Sequence, residues 1–352
     1  MIAEERFFEH FMDPVDGVLC LPAASDAAAI ERQASPHGLR FPLLLDRTTP
    51  LCEQVASSPV APASSRYGPY CDNITGMNWE LPDGRRVRVG ERVVKSTTGY
   101  DLLRFLLGSG SRYGRPLDYV LRLRPACDTA RGFCLSGEAA SLRSALKELL
   151  QSPWMHWLDS VDLVAVDSPF LRVAVHCPAR EFEAYRDFLS AFSKKFSLAL
   201  EPAAEPDGTP FMTVGDAAHS GQGSSFSKTQ GGADACPGLL DVAPSGLNLA
   251  PFAAGPALDG CPDLVVKTTP EFVADTALSL AKHPGAKCLA LCACGVVHVF
   301  LPDPGAIGEI VRPIESALHA MGGHWQSRHL SPGPSPLEAS WISTLRKEWS
   351  VS

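Results

Sequence analysis

The stretch from Arg92 to Pro125 constrains the fold of this chain more than any other. It opens on Arg92-Val93-Val94-Lys95 and passes through a Gly99-Tyr100 turn. An apolar-rich run follows from Asp101 to Leu107, broken by Gly108 to Gly114, and the stretch closes on Tyr119-Val120-Leu121-Arg122-Leu123 before Pro125. Asp101 to Leu107 reads as a short helix and Tyr119 to Leu123 as a strand. Pro125 ends that strand because it has no N–H to give to a ladder. Lys95 and Asp101 are placed to pair across the Gly99-Tyr100 turn, a structural role.

Upstream, Val18-Leu19-Cys20-Leu21 is a short apolar run ended by Pro22. Ser25-Asp26 can cap a helix bearing Ala27, Ile30 and Ala34, since an acceptor side chain there satisfies orphan backbone N–H groups. His37-Gly38 ends the helix and Leu39 to Leu45 is extended. A strand-helix-strand unit of this kind predicts a parallel pair. Residues 46 to 66 are polar and turn-rich. Trp79-Glu80-Leu81 and Arg86 to Val89 flank Pro82-Asp83-Gly84, a β-hairpin signature.

Downstream, Cys127 to Arg131 forms a joint, after which the amphipathic units lengthen. Leu142, Ala145, Leu146, Leu149 and Leu150 recur at helical spacing up to Pro153, and Phe182, Tyr185, Leu189 and Phe192 make a second stripe. Leu163 to Val166 and Phe170 to Val175 flank a hairpin turn at Asp167-Ser168-Pro169. Residues 203 to 262 are rich in Gly, Ser, Pro and Ala with a single lysine or arginine, Lys228. A long surface excursion is expected there. Pro270 suits the first turn of a helix. Leu289 to Phe300 reads as an apolar hairpin. Ile307, Ile310, Val311, Ile314 and Leu318 form a last stripe, with Pro313 placed to kink it. Two strand-helix sets around an insertion imply an α+β architecture with helices on one sheet face.

With 352 residues, 45% hydrophobic and 20% charged, the chain suits two globular domains. The net charge of −8 and the lack of a basic block argue against nucleic acid. No apolar run reaches transmembrane length and the charged N-terminus has no signal-peptide core, so a cytoplasmic location is expected, peripheral to the inner membrane face. Eleven cysteines, an odd number, point to free thiols. Alternation would put Cys288, Cys292 and Cys294 on one strand face, as core thiols rather than metal ligands. His319, His324 and His329 match no zinc pattern. His298, on an apolar strand, reads as a satisfied histidine rather than a substrate contact. Gly108, Gly110 and Gly114 follow a helix and are misspaced for a dinucleotide fingerprint.

Several of these elements, in order and register, resemble the FAD-binding domain of the vanillyl-alcohol-oxidase (PCMH-type) superfamily, and within it the FAD-binding subunits of bacterial glycolate oxidase. The motifs are Ser65-Arg66-Tyr67-Gly68, Leu81-Pro82-Asp83-Gly84, Arg92 to Lys95, Gly99-Tyr100-Asp101-Leu102, Gly108-Ser109 and Leu121 to Pro125, with Ser96 where that family has Asn. Leu21 to Ser25, His37 to Leu39, Cys294 to His298 and Gly322 to Trp325 extend the likeness more weakly. The resemblance implies a PCMH-type FAD-binding domain over 1–127 with its first half reduced. A ferredoxin-like α+β substrate domain would follow over 128–202 and 263–345, interrupted by a flexible 203–262 insertion. It also implies FAD as cofactor, with Ser64, Ser65, Arg66 and Tyr67 on one wall of its site and Gly108, Ser109, Gly110, Ser111, Arg112 and Gly114 on the other. Arg112 would offer charge to the pyrophosphate.

The implied activity is oxidation of a 2-hydroxy acid such as glycolate or D-lactate, with flavoprotein and iron–sulfur subunits as partners. One departure matters. Where that family has a glycine loop whose backbone N–H groups cradle the pyrophosphate, this chain has Phe41-Pro42-Leu43-Leu44-Leu45-Asp46. A scaffold subunit that has lost FAD and pairs with an intact flavoprotein is therefore the alternative. No catalytic residue and no metal ligand is assigned by the sequence.

Overall fold

The structure, a computed structural model, describes residues 7–45, 47–92, 102–109, 113–127, 129–202, 261–320 and 323–327. The Lys95–Asp101 pairing, the Gly99-Tyr100 turn, Asp46, His329 and nearly all of the 203–262 insertion lie outside the described residues.

The first half of the chain is built on strands β1 (Phe11–Asp13), β2 (Val18–Pro22), β3 (Leu39–Arg40), β4 (Ile74–Glu80), β5 (Arg86–Gly90), β6 (Arg115–Arg122) and β7 (Arg124–Pro125). Its helices are α1 (Ala27–Ala34), α2 (Leu51–Ser57), α3 (Ser64–Tyr67), α4 (Tyr70–Asn73) and α5 (Leu102–Gly108). An antiparallel sheet runs β1-β2-β6-β4-β5. Asp26 caps α1 as its position predicts, its Oδ1 accepting from Ala29 N at 2.8 Å. The β4–β5 hairpin also forms where the sequence places it, with Gly84 at φ 85° in the turn.

The parallel pair does not form. β2 lies between two antiparallel neighbours, while β3 leaves the sheet and pairs only with β7, Arg40 opposite Arg124. The reason lies in the next residues. Pro42 cannot donate to a ladder, and Phe41, Leu43 and Leu44 are all buried rather than alternating. They enter the core formed by Leu19, Leu21, Ile30, Tyr70, Trp79 and Tyr119. Each fully buried leucine there contributes roughly 1.5–3 kcal/mol. The segment read as turn-rich holds α2, which buries Leu51, Gln54 and Val55. Gln54 is wholly buried and structural: Oε1 accepts from Leu45 N at 2.6 Å and Nε2 donates to Thr49 O at 2.7 Å.

The second half holds β8 (Thr129–Ser136), α6 (Ala139–Gln151), β9 (Ser160–Ala165), β10 (Phe170–Cys177), α7 (Phe182–Lys195) and β11 (Ala199–Pro202). It continues with β12 (Leu264–Lys267), α8 (Val273–Leu280), β13 (Lys287–Leu291), β14 (Val296–Phe300), α9 (Ile307–Ala320) and β15 (His324–Ser327). The element order βαββαβ thus occurs twice. The sheet order β11-β8-β10-β9-β13-β14-β12-β15 shows two ferredoxin-like units joined edge to edge. The join is the antiparallel β9–β13 pair, Val164 opposite Leu289. Each unit covers the other's open edge, which an isolated sheet would expose.

Helices α6 to α9 cover one face of this sheet, through Leu146, Leu189, Ala277 and Ile310 among others. On the other face Val164, Val265, Leu289, Leu291 and Val296 pack with Val60 from the first half. Two local expectations need correction. Cys292 and Cys294 lie in a 3-10 turn, not on the strand, so Cys288 and Cys292 join the helix-side core while Cys294 faces the Val60 side. Helix α8 starts at Val273, and Pro270 sits in the turn before it, packed against Gly295. Helix α9 runs on through Pro313.

Candidate functional site

Strand alternation sorts β9 into two sets. Val161, Leu163 and Ala165 enter the helix-side core, which turns Ser160 and Asp162 toward the first half of the chain. The same alternation turns Arg172 and His176 of β10 and His298 of β14 that way. All five are buried. The seam between the two halves is therefore lined by polar groups that must find partners across or along it.

The densest cluster centres on Asp159, just ahead of β9. Its Oδ2 accepts from Arg40 Nη2 at 2.9 Å, and Oδ1 accepts from Arg66 Nη1 at 3.0 Å and Tyr67 Oη at 3.1 Å. Ser65 Oγ donates to the Asp159 carbonyl at 3.0 Å. Arg66 Nη1 also approaches the carbonyls of Trp157 and His176, both at 3.3 Å. Helix α3 presents Ser65, Arg66 and Tyr67 together because it is a single turn, nucleated by Ser64 Oγ accepting from Ala61 N at 3.0 Å and ended by Gly68 at φ 81°.

Three guanidinium groups, those of Arg40, Arg66 and Arg124, lie 5.3–5.5 Å from the Tyr67 ring centroid. Asp159 is the carboxylate bonded to two of them, and Arg124 donates to the neutral Asn73 Oδ1 at 3.0 Å. Arg40 and Arg124 are also direct partners across β3 and β7, where like charges repel. Burial, and then neighbouring Arg122, hold the Arg124 guanidinium below its ordinary value. Among the described residues, the buried Nε atoms of Arg40 and Arg124 have no acceptor. Among the described residues the cluster thus has an excess of positive charge and two unmet donors, the electrostatic description of an anion site.

His176 stands beside it. Burial, then the charge of Arg40, push it down to about 4, so the ring is neutral and its Nε2 accepts from Cys127 N at 3.4 Å. Farther along the face, Arg172 bonds Asp162 Oδ2 through Nη2 at 2.9 Å and Nε at 3.3 Å, with Ser160 Oγ donating to the same oxygen at 3.1 Å. Burial raises the Asp162 carboxyl and Arg172 opposes the rise. At the far end Ser58 Oγ donates to Val60 O at 2.8 Å, leaving it to accept from His298 Nε2 at 2.8 Å. His298 is thus a satisfied buried histidine. Since it donates to the serine, the pair is not an activated nucleophile.

The two expected cofactor walls separate in character. Ser64, Ser65, Arg66 and Tyr67 form the seam cluster, with both serine hydroxyls engaged by protein atoms. Gly108 and Ser109 end α5, where Ser109 Oγ donates to Leu106 O at 2.7 Å and a Cβ on Gly108 would meet open space. Gly114, at φ 122°, is needed because a Cβ there would come within 2.0 Å of Glu80 O. Gly110, Ser111 and Arg112 lie outside the described residues. Sequence reasoning missed Arg40, Arg124, Asp159 and His176. It also missed the Asp162–Arg172 pair, whose opposite charges lie in two apolar runs, five residues either side of Asp167, and meet in register. Among the described residues no group of three His, Cys, Asp or Glu is arranged to hold a metal ion, and no helix is long and apolar enough to cross a membrane.

No family model matches the chain. An uncharacterized FAD-linked oxidoreductase of Mycobacterium tuberculosis is 33% identical over 63 residues, 18% of this chain and 14% of that protein. The mitochondrial D-lactate dehydrogenase [cytochrome] of Arabidopsis thaliana is 33% identical over 88 residues, 25% of this chain and 16% of that one. A D-lactate dehydrogenase of Archaeoglobus fulgidus is 25% identical over 126 residues, 36% of this chain and 28% of that one. The matched segments thus span under a third of the length of these relatives. Among solved structures, an alkyldihydroxyacetonephosphate synthase superposes with a TM-score of 0.57 at 12% identity, over 99% of this chain and 65% of that one. A VAO-type flavoprotein of Myceliophthora thermophila does so at 0.54 and 14% identity, over 91% and 61%. The chain therefore has the mixed α+β fold of the vanillyl-alcohol-oxidase-type flavoproteins, and its sequence likeness runs to FAD-linked oxidoreductases.

Proposed function

We propose that this chain is a FAD-linked oxidoreductase subunit acting on a small 2-hydroxy acid of the glycolate or D-lactate class. The single observation that carries the reading is the cluster of Arg40, Arg66 and Arg124, three cations to one bonded carboxylate, Asp159, among the described residues, in a fold shared with flavoproteins. Its charge fits the pyrophosphate of a dinucleotide, and its two buried, unmet Nε donors fit an acceptor-rich anion. The Phe41–Leu45 segment contributes core rather than a backbone cradle, since Phe41, Leu43 and Leu44 are buried. Side-chain guanidinium groups would hold the cofactor's charge instead. Bound FAD would supply hydride acceptance from the substrate's C2 carbon. The protein's part is to hold the anion at Arg66 and its neighbours and to exclude water along the seam. Tyr67, whose phenol burial and then Asp159 push up, stays protonated as a donor. Gly108 to Gly114 would form the second wall. Electrons would pass on to a partner, an iron–sulfur subunit being the fitting class.

The test is the visible spectrum of the purified protein followed by FAD titration. Flavin bands, or saturable quenching of FAD fluorescence that weakens at least about tenfold in Arg124→Gln, support the reading. A colourless protein that ignores FAD overturns it. That outcome would leave the scaffold function as the alternative.

A further inference from the structure

A cavity of about 260 Å³ opens where the turn ahead of β9 meets the start of α7, lined by Pro153, Trp154, Trp157, Glu181, Ala184 and Tyr185. It is smaller than the roughly 300–1,000 Å³ of drug-sized ligand pockets and far too small for a dinucleotide. Two indoles and a phenol form its walls, with one carboxylate among them. Trp154 is fixed in place, stacked on Phe188 at 4.3 Å and edge-on to Tyr185 at 5.5 Å. Trp157 is 56% exposed, an unusual cost for so large an apolar surface. Two positive charges stand beside the cavity, each bonded to a carboxylate. Arg66 is bound to Asp159 and to the Trp157 carbonyl. Arg180 pairs with Glu181 at 3.6 Å but stays 84% exposed.

We propose that this cavity is a binding site for a small organic cation of the quaternary or alkyl-ammonium class. Aromatic faces carry negative quadrupole potential, tryptophan most of all, and a ring of them beside a carboxylate stabilises a poorly hydrated cation. The cavity holds one such headgroup with a short substituent. The site adjoins the anion cluster, since Arg66 bonds the Trp157 carbonyl, and its occupant needs no flavin.

Choline chloride and tetramethylammonium serve as probes, titrated against the full chain by calorimetry and by tryptophan fluorescence. 3,3-Dimethyl-1-butanol, the uncharged isostere of choline, is the control. Saturable choline binding, about tenfold or more tighter than the isostere, is expected. Trp157→Ala, at an exposed position that leaves the fold intact, should weaken it by a similar factor, and Glu181→Gln by a smaller one. Equal binding of the isostere, unchanged binding in Trp157→Ala, or no saturable binding overturns the proposal.

Discussion

Acid should weaken this protein through His298. Burial pushes the imidazole from 6.5 down to about 3, so in the folded chain it stays neutral across the whole mildly acidic range. In the unfolded chain it titrates near 6.5. A group whose folded value is depressed in this way takes up its proton first in the unfolded state. The neutral ring's contribution is therefore complete above pH 6.5 and is lost progressively as pH falls from 6.5 toward 3. At pH 5 the span is 1.5 pH units at about 1.4 kcal/mol each, or about 2 kcal/mol of lost stability. The loss concerns contact across the seam, because His298 donates to Ser58 from the other half of the chain. Urea denaturation at pH 7.5 and at pH 5 measures it in the wild type and in His298→Gln, which retains a donor but does not titrate. Carboxylate effects are common to both proteins, so the variant should lose about 2 kcal/mol less than the wild type. Equal losses would refute the reasoning, as would a His298 ring resonance that titrates near pH 6 in the folded protein.

His176, pushed down to about 4, should behave in the same way, and His176→Gln should flatten the pH dependence by about 2 kcal/mol at pH 5, measured as for His298. Asp159→Asn strips the carboxylate that bonds both Arg40 and Arg66, and a cost of roughly 3–5 kcal/mol is expected in the same denaturation experiment. A loss under about 1 kcal/mol would mean that the arginines already have another counter-charge. Gly90→Ala places a Cβ 2.3 Å from Thr75 O at φ 80°, so the β4–β5 hairpin should be disrupted and the melting temperature should drop by several degrees or more. Cys20 and Cys288, both buried and pushed up to about 12, should resist a thiol reagent at pH 8 and react at once in urea. Rapid labelling in the native state would contradict their burial.

The repeating elements of the second half were legible because each helix buries one face and each strand alternates. Leu142, Ala145, Leu146 and Leu149 announce α6, and the Asp167-Ser168-Pro169 turn announces the β9–β10 pair. Helix α2 was hidden because its central buried residue is Gln54, whose amide bonds Leu45 N and Thr49 O, both outside the helix. The Arg66-Tyr67 motif falls within the seam cluster. Its partners Arg40, Arg124 and Asp159 come from three distant places in the chain and carry no local pattern.

The sequence by itself determined the α+β class, the hairpins, the amphipathic helices and the resemblance to FAD-linked oxidases, because periodicity and motif order are local properties. Tertiary structure alone decided that β3 abandons the parallel pair for β7 and that two ferredoxin-like units seal each other's edge through β9 and β13. It also decided that three arginines converge on one tyrosine beside one carboxylate. The net charge of −8 conceals that local excess of positive charge. Electrostatic balance is a property of what is brought together in space, over distances of a few ångströms, and no window along the chain contains it.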